Sequence, residues 1–514
     1  FLVNDIENYY DWYKDSEIFE EYITKKYQGQ YAIANATTDI VSTPTDAEDH
    51  KFLLGEKVTS VSSEGRITDV EPINKRINIE GGNFVADELI TGSVSGKSFT
   101  PVSVINKRDG IHHYKNDDGL ITNVETSGFT SVGMDVFLFG PIPTPAVAFL
   151  TQALRADIGV MITASHNTYE DNGFKLFGPD GYKLSDEKEL EIEKLMLSRD
   201  LLEFPRSEYI GRAKRIDDAQ ARYIEYAKRS FPKDKTLENI KIVLDCANGA
   251  SYKVAPETFW ELGAQVTVIG NQPNGKNINL NCGSTNTELL KKIVIEESAD
   301  IGIALDGDAD RMIIVDEKGK EVDGNLLFAA IVKNWNDRGL LENKSVASTI
   351  MANFALENYL SSLGIDLVRT NVGDRYLVKS MRENNLKIGG EPSGHIVMSN
   401  FGTTGDGLIA SLQVLSMMSS EDRPISELVN LFELYPQKNI SVPISGNNSL
   451  NDPAVKKIIK EQELLLDNKG RIIVRESGTE PIIRVMVESK EEAMINNICE
   501  KIVSSIEKSL QKKN

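Results

Sequence analysis

Residues 241–270 read KIVLDCANGASYKVAPETFWELGAQVTVIG. Both ends of this stretch are continuous apolar runs without polar alternation, which is typical of strands covered by helices on both faces. Between them, a glycine-containing loop leads into a helical segment. The stretch therefore predicts a strand, loop, helix and strand in succession, the repeating unit of an open α/β sheet.

The same unit occurs twice more along the chain. It begins at Asp135, with DVFLFGPIPTPAVAFLTQALRADIGVMIT, and at Ser345, with SVASTIMANFALENYLSSLGIDLVRTN. The spacing between the starts is too long for a solenoid repeat and suits successive domains of similar size. We predict three similar α/β domains, at residues 126–205, 206–319 and 320–435.

The two ends of the chain follow other patterns. Residues 436–514 contain the strand-like runs RIIVRES and IIRVMVES and an amphipathic helix from Glu491, which predicts a smaller α+β domain. Residues 56–105 alternate polar and apolar residues in short runs split by Gly and Pro, which predicts an antiparallel β module. Residues 1–125 are therefore expected to form an unrelated, partly β-rich segment, with a helix over the aromatic residues 4–27.

Composition restricts the classes of partner. The 514 residues include 57 Lys and Arg against 77 Asp and Glu, a formal net charge of −20, so the mean field repels nucleic acids and anionic membranes. Cys246, Cys282 and Cys499 lack metal-ligand spacing, which favours a reducing compartment. No apolar run approaches the roughly 18 residues of a membrane span, and no signal-peptide pattern is present. We expect a cytoplasmic protein.

One candidate nucleophile lies in TASHNTYEDNGFK, residues 163–175. This segment places Ser165 at the carboxyl end of an apolar strand, where open α/β sheets bind their ligands. A strand-to-loop turn in which Ser165 and Asn167 cap backbone groups explains the same residues. On this segment alone both interpretations stay open.

Three carboxylates alternate in ALDGDADRMIIVD, residues 304–316. Asp306, Asp308 and Asp310 can converge only if an oxygen-preferring dication neutralises them, so the pattern predicts Mg²⁺ or Ca²⁺. An EF-hand calcium loop does not fit, because Arg311 stands where that loop needs glycine and both flanks are strands. A solvated acidic turn is the remaining alternative, and the apolar flanks favour the metal loop over it.

Two later segments have side chains suited to a sugar phosphate. In GGEPSGH, residues 389–395, Glu391 and Ser393 can bind sugar hydroxyls and His395 can assist proton transfer. RESGTEPIIR, residues 475–484, combines arginines with hydroxyl and backbone N–H donors for a phosphate. A glycine-rich turn with a capping glutamate, and a capped hairpin, are the respective structural alternatives.

Together these segments, in this order and in these domains, closely resemble the α-D-phosphohexomutase superfamily. The resemblance covers about residues 127–514, and GPIPTPAVAFL, NVGDRY, GEPSGH and TTGDG make it most similar to the bacterial phosphoglucosamine mutases. It implies a four-domain enzyme with its active site in a central cleft. The expected fold is thus three consecutive similar α/β domains, the first one incomplete, and a C-terminal α+β domain.

The resemblance also implies roles for single residues. Ser165 would carry the phosphoryl group, and Lys175 and His395 would serve proton transfer. One Mg²⁺ per chain would be held by Asp306, Asp308 and Asp310 together with the phosphoserine. The implied substrate-binding residues are Arg311, Glu391, Ser393, Arg475, Ser477, Gly478, Thr479 and Arg484.

The implied reaction interconverts glucosamine 6-phosphate and glucosamine 1-phosphate, with a sugar 1,6-bisphosphate as intermediate and activator, for UDP-N-acetylglucosamine and cell-wall precursor synthesis. A phosphomannomutase or phosphoglucomutase is the alternative and differs only in the hexose. Family members carry segments of the type FGTDGIRG and KDTR in their first domain, and this sequence has neither. A non-catalytic chimera of a β-rich binding module and a mutase remnant is therefore a further hypothesis.

Overall fold

We describe a computed structural model of the chain. The described residues are 37–42, 57–59, 64–71, 76–80, 90–92, 98–99, 101–106, 120–197, 205–444, 450, 452–467, 469–476 and 482–511. The chain divides into two compact units, one formed by Tyr9–Ile121 and the other containing Thr122–Asn514.

The smaller unit contains one seven-stranded sheet with the order β6-β5-β2-β3-β4-β1-β7, and each pairing is antiparallel. The predicted β-rich module is therefore confirmed, whereas the helix predicted for residues 4–27 lies outside the described residues. The strands are β1 (Thr37–Ser42), β2 (Lys57–Thr59), β3 (Glu64–Glu71), β4 (Arg76–Glu80), β5 (Ile90–Gly92), β6 (Ser98–Phe99) and β7 (Pro101–Asn106).

The first α/β region of the larger unit has an incomplete sheet. Its elements are α1 (Leu120–Ser131), which belongs to this unit from Thr122 onward, β8 (Val136–Leu138), α2 (Thr144–Ala153), β9 (Gly159–Thr163), β10 (Gly173–Phe177), α3 (Asp186–Leu197) and β11 (Ala213–Arg215). Strand β8 pairs in parallel with β11, and β9 pairs antiparallel with β10. Within the described ranges, β8 and β9 share no ladder, although Val136 and Val160 pack in one apolar cluster.

The second α/β region has a complete sheet. The order is β13-β12-β14-β15, in which β12 pairs in parallel with β13 and β14 and only β15 is antiparallel. Strand β14 is buried along its whole length, as expected for a strand covered on both faces. The elements are α4 (Ala219–Lys228), β12 (Lys241–Asp245), α5 (Val254–Glu261), β13 (Gln265–Ile269), α6 (Glu288–Glu297), β14 (Ile301–Leu305) and β15 (Met312–Asp316).

The third region repeats that topology, with the strand order β17-β16-β18-β19 and an antiparallel last strand. Helix α10 is apolar around most of its circumference and buried from Gly407 to Met418, so it forms part of the main core. The elements are α7 (Gly324–Asp337), β16 (Ser345–Thr349), α8 (Phe354–Ser362), β17 (Asp366–Thr370), α9 (Asp374–Glu383), β18 (Ile388–Gly390), β19 (Ile396–Met398), α10 (Gly407–Glu421) and α11 (Ile425–Leu428).

Comparison of the three regions shows which strand has no counterpart among the described residues of the first one. The succession β8, α2, β9, β10 matches β13, α6, β14, β15, but β12 lies between β13 and β14 whereas no described strand lies between β8 and β9. Strand β9 thus has one strand neighbour, while β14 and β18 have two each. The prediction of three similar α/β domains with an incomplete first one is confirmed.

The C-terminal region is α+β, as predicted. It forms a three-stranded antiparallel sheet of order β20-β22-β21, covered by two helices around a separate apolar core that includes Val455, Val485 and Ile502. The elements are β20 (Gln437–Pro443), α12 (Pro453–Leu466), β21 (Gly470–Glu476), β22 (Ile482–Ser489) and α13 (Glu492–Gln511). Across the described ranges, no helix combines the length and apolar character needed to cross a membrane.

Candidate active site

Ser165 lies just beyond β9 in a strained turn. Its φ of +53° is in the left-handed region, which costs a non-glycine residue about 1–3 kcal/mol and persists only where the surroundings impose it. The Ser165 N–H donates to Thr163 Oγ1 at 2.7 Å, and the Asn167 N–H donates to the Ala164 carbonyl at 2.9 Å. The backbone N–H groups of Ser165 and Asn167 are therefore both bonded within this turn.

His166 is a neighbour of the serine that the sequence analysis did not assign. Its Nδ1 lies 3.3 Å from Ser165 Oγ. Burial, followed by the positive charge of Arg311, lowers the pKa of His166, so the imidazole is neutral at pH 7. Its position directly after the serine in TASHN was the available signal.

The three carboxylates converge after β14. Asp306 and Asp308 are 0% exposed and Asp310 is 3% exposed, which excludes a solvated acidic turn. One ligand atom from each lies within 4.8 Å of the others. Burial and the two neighbouring carboxylates raise the pKa of Asp306. Such a concentration of buried negative charge favours a bound cation.

Free ligand atoms remain in this cluster. Asp306 Oδ1 accepts a hydrogen bond from the Arg311 N–H at 3.0 Å. Asp306 Oδ2, Asp308 Oδ1 and Asp310 Oδ1 are buried and have no hydrogen-bond partner among the residues that the structure describes. Buried oxygens without donors are costly unless an ion satisfies them, so the donor set fits a hard dication such as Mg²⁺.

Lys175 extends from β10 into the carboxylate cluster. Its Nζ contacts Asp308 Oδ2 and lies 2.8 Å from Asp310 Oδ2. Burial lowers the pKa of Lys175, but the attraction of Asp308 and Asp310 outweighs burial and the net pKa is raised. The side chain is therefore an ammonium at neutral pH and neutralises part of the charge of the carboxylates.

Thr144, at the start of α2, supports the cluster from the first α/β region. Its N–H donates to the Asp308 carbonyl at 2.9 Å, and its hydroxyl donates to Asp308 Oδ2. One of the N–H groups that lack an intrahelical partner at a helix start thereby orients the carboxylate loop. Thr144 belongs to the GPIPTP segment, but nothing in that segment signals a contact with Asp308.

The GGEPSGH segment forms the turn between β18 and β19. His395 is 1% exposed, and its Nδ1 lies 3.6 Å from Asp310 Oδ1, so it is placed to orient that carboxylate. Glu391 is half-buried and accepts from the Gly373 N–H and from the Ser393 hydroxyl, both at 3.3 Å. Ser393 is exposed. Glu391 and Ser393 are thus accessible to a ligand, whereas His395 lies behind Asp310.

Arg311 borders the carboxylates. Its side chain is 26% exposed, and Nε lies 3.9 Å from Asp310 Oδ1. An arginine at this distance can bind an anion that approaches the cluster.

Two further arginines lie on the C-terminal sheet. Arg475 of β21 and Arg484 of β22 are directly paired across the two strands. Like charges at such positions repel each other, and an anion between them would relieve that repulsion. The other predicted phosphate-binding residues, Ser477, Gly478 and Thr479, lie outside the described residues.

Sequence models of four domains of one enzyme family match four consecutive parts of the chain, which together make up most of it. The α/β/α domains I, II and III of phosphoglucomutase/phosphomannomutase match residues 118–203, 221–319 and 323–435, and the C-terminal domain matches residues 440–505.

Similar curated proteins include two phosphoglucosamine mutases. That of Parvibaculum lavamentivorans is 56% identical over 382 residues, 74% of this chain and 85% of the relative. That of Rhizobium johnstonii is 55% identical over 388 residues, 75% of this chain and 86% of the relative.

Similar solved structures share the fold at low identity. A phosphoglucomutase/phosphomannomutase family protein from Burkholderia thailandensis has a TM-score of 0.63 at 20% identity, over 76% of this chain and 86% of that one. The N-acetylphosphoglucosamine mutase of Aspergillus fumigatus, solved with GlcNAc-6P and magnesium, has a TM-score of 0.54 at 20% identity. The match covers 71% of this chain and 92% of that one. From the four matched domains and the 56% identity, we conclude that the chain belongs to the phosphoglucomutase/phosphomannomutase family of α-D-phosphohexomutases.

Proposed function

We propose that this phosphohexomutase interconverts glucosamine 6-phosphate and glucosamine 1-phosphate through a phosphoserine at Ser165. The close approach of the serine loop to the carboxylate loop carries the proposal. A Cβ added at Gly307, between Asp306 and Asp308, would lie only 2.6 Å from the Ser165 carbonyl oxygen. A nucleophile and a cation site this close suit phosphoryl transfer, in which the protein mainly positions groups and neutralises charge.

In this proposal, Asp306, Asp308 and Asp310 would hold one Mg²⁺ together with the phosphoserine. When bound, that ion would neutralise charge on the phosphoryl oxygens. Thr144 and His395 would keep Asp308 and Asp310 oriented toward the ion, through the contacts described above.

The reaction has two half-reactions. The phosphoserine at Ser165 transfers its phosphoryl group to the free sugar hydroxyl, which gives a 1,6-bisphosphate; the other phosphate then returns to the serine. Lys175, as an ammonium, would give a proton to the serine oxygen as its bond to phosphorus breaks, and the resulting amine would take up the proton that the sugar hydroxyl releases. A sugar 1,6-bisphosphate added from outside would phosphorylate Ser165 and so act as activator.

The remaining predicted residues would hold the substrate in both orientations. The part of the substrate near the carboxylate cluster would be bound by Arg311, the half-buried Glu391 and the exposed Ser393. Arg475 and Arg484, with Ser477, Gly478 and Thr479, would bind the phosphate that does not react.

The similarity to phosphoglucosamine mutases at 55–56% identity supports glucosamine as the hexose, and hence a place in UDP-N-acetylglucosamine and cell-wall precursor synthesis. A phosphomannomutase or phosphoglucomutase differs only in the hexose and is the alternative. The incomplete sheet beside β9 favours a second alternative, a mutase remnant that binds sugar phosphate without turnover.

The test is a coupled assay for glucosamine 1-phosphate formation from glucosamine 6-phosphate, with Mg²⁺ and a trace of glucose 1,6-bisphosphate. We expect turnover that disappears in Ser165→Ala. Ser131→Ala is the matched control, because the Ser131 hydroxyl bonds only within α1 in the described contacts.

Each other outcome has a distinct meaning. Faster turnover of mannose or glucose phosphates would favour the alternative hexoses. Turnover retained by Ser165→Ala would refute the phosphoserine, and a folded wild-type protein inactive on all hexose phosphates would favour the remnant.

A further inference from the structure

Asn279 is a buried asparagine that no motif of the sequence analysis included. It lies between β13 and β14, is 6% exposed and has a left-handed φ of +55°. Its N–H donates to the Ala247 carbonyl at 2.9 Å, so its backbone is fixed to the loop that follows β12. The backbone position from which the Asn279 side chain extends is therefore fixed by the second α/β region.

The side-chain amide of Asn279 forms hydrogen bonds with the serine loop of the first region. Nδ2 donates to the Ser165 carbonyl at 2.8 Å and to the Asn167 carbonyl at 2.7 Å. An amide NH₂ carries two donors and these two carbonyls use both of them. The opposite orientation would place Oδ1 against two acceptors, so only the NH₂ group suits this position.

The same carbonyl is approached from the carboxylate loop. A Cβ on Gly307 would lie 2.6 Å from the Ser165 carbonyl oxygen and 2.8 Å from Asn279 Nδ2. The Ser165 peptide is therefore enclosed by the metal loop on one side and by the amide on another. This explains how a serine is kept in the unfavourable left-handed conformation.

We propose that Asn279 is a positioning residue for phosphoryl transfer: its two hydrogen bonds set the conformation of the serine loop and hence the direction of Ser165 Oγ. The inference rests on the proposed function. Asn279 acts through the loop, while Glu391, Arg475 and Arg484 hold the substrate elsewhere. Loss of the amide should therefore lower kcat, by about 100-fold for a displacement near 1 Å, and leave KM within a few-fold.

Two substitutions test the two hydrogen bonds. Asn279→Asp keeps the shape but places a carboxylate against two carbonyls. Asn279→Gly removes the side chain and tolerates the left-handed backbone, so it covers the case in which the aspartate variant does not fold. Asn281 is the matched control, because it has the same φ of +55° on the same loop but is exposed. Asn281→Asp and Asn281→Gly reproduce the charge and backbone changes.

Three measurements separate the inference from the proposed function. Steady-state kinetics give kcat and KM, intact mass follows phosphorylation of Ser165 by glucose 1,6-bisphosphate, and hydrogen exchange of residues 164–168 reports loop order without turnover. We expect both Asn279 variants to show faster exchange, slower phosphorylation and reduced kcat, and both Asn281 variants to resemble the wild type.

Unchanged exchange at residues 164–168 in the folded Asn279 variants would overturn the inference, as would equal effects of the Asn281 substitutions. If the wild type turns over and the Asn279 variants keep its kcat, the positioning role of Asn279 is refuted and the proposed function is not. An inactive wild type would refute the proposed function, and the exchange comparison would then still decide whether Asn279 orders the loop.

Discussion

Asp406 is a buried carboxylate outside the cluster of Asp306, Asp308 and Asp310. Its Oδ1 accepts from the Ile409 N–H at 2.9 Å and so caps α10, while the Tyr223 hydroxyl donates to both oxygens, at 2.9 and 3.0 Å. Burial, only partly offset by these hydrogen bonds, raises the pKa of Asp406 to about 7. The residue joins α10 to α4 and links the stability of that contact to pH.

Substitution of Asp406 should change how stability depends on pH. The unfolded carboxyl titrates near its ordinary pKa of about 3.9, so between about pH 4 and 7 the folded state binds more protons. The contribution of Asp406 is therefore fully present below pH 4 and decreases as the pH rises to 7. An asparagine side chain at this position would keep the capping oxygen without titrating. As the pH rises from about 4 to 7, we expect the free energy of unfolding of Asp406→Asn to increase relative to that of the wild type, by up to about 1.4 kcal/mol per pH unit.

Urea unfolding at pH 5, 6 and 7 measures this difference. Asp323→Asn is the control, because Asp323 caps α7 in the same way, with its side chain accepting from the Asn325 N–H at 2.8 Å, but is exposed. An equal pH trend in both variants would show that burial of Asp406 is not the cause.

Among the elements, the C-terminal sheet contacts α8 through an ion pair whose carboxylate is buried. Arg471 Nε of β21 contacts Glu488 Oε1 of β22, and Glu488 is 0% exposed. Glu488 Oε1 also accepts from the Phe354 N–H at 3.0 Å, at the start of α8. Burial raises the pKa of Glu488 and lowers that of Arg471, despite their mutual attraction. Desolvation is therefore a large part of the energetics of this pair.

Breaking the pair should cost more than removing it. Glu488→Met removes the anionic partner of the Arg471 guanidinium, which is 15% exposed and keeps its hydrogen bond to the Ala352 carbonyl, and we expect a loss of about 3 kcal/mol in the free energy of unfolding. Arg471→Met combined with Glu488→Met should recover a large part of that loss. Chemical denaturation of the single and double variants measures both values.

The exposed pair Lys469 and Glu491, with 3.2 Å between Nζ and Oε1, provides the control. Glu491→Met should cost less than about 1 kcal/mol. Destabilisation in the double variant equal to the sum of the two single losses would contradict a desolvation-dominated pair.

At the scale of the whole molecule, the carboxylate cluster joins the three α/β regions. Thr144 comes from the first, Asp308 and Asp310 from the second, and His395 from the third. A cation bound there would stabilise the contacts between regions as well as the loop itself. Binding of a cation there would therefore couple the stability of this fold to the metal concentration.

Magnesium should accordingly raise the thermal unfolding midpoint. Binding to the folded state alone contributes about 2.7 kcal/mol at a metal concentration of 100 times Kd. We expect a rise with Mg²⁺, reversal by EDTA, and no response in Asp308→Asn. Differential scanning calorimetry measures the midpoints. Asp217→Asn, at an exposed aspartate, should respond like wild type, and a Mg²⁺ response that survives in Asp308→Asn would locate the ion elsewhere.

Much of the architecture could be predicted because it is encoded locally. The apolar runs of β12, β14 and β16 reflect burial on both faces, and that pattern is readable without knowledge of neighbouring strands. The DGDAD spacing likewise indicates a cation site because the three carboxylates belong to one short loop. Segments of the type FGTDGIRG and KDTR, which family members carry in their first domain, do not occur in this sequence. Their absence correctly predicted an incomplete sheet in that domain.

The amino-acid sequence is thus sufficient to predict the succession of α/β and α+β regions, the family and the local motifs. Tertiary structure alone decided that the Asn279 amide binds the carbonyl of Ser165, 114 residues away, and that Thr144 binds Asp308, 164 residues away. It also showed that β9 has one strand neighbour among the described residues. The physical reason is that periodicity and spacing reflect contacts within an element, whereas these hydrogen bonds form only when separate regions pack together.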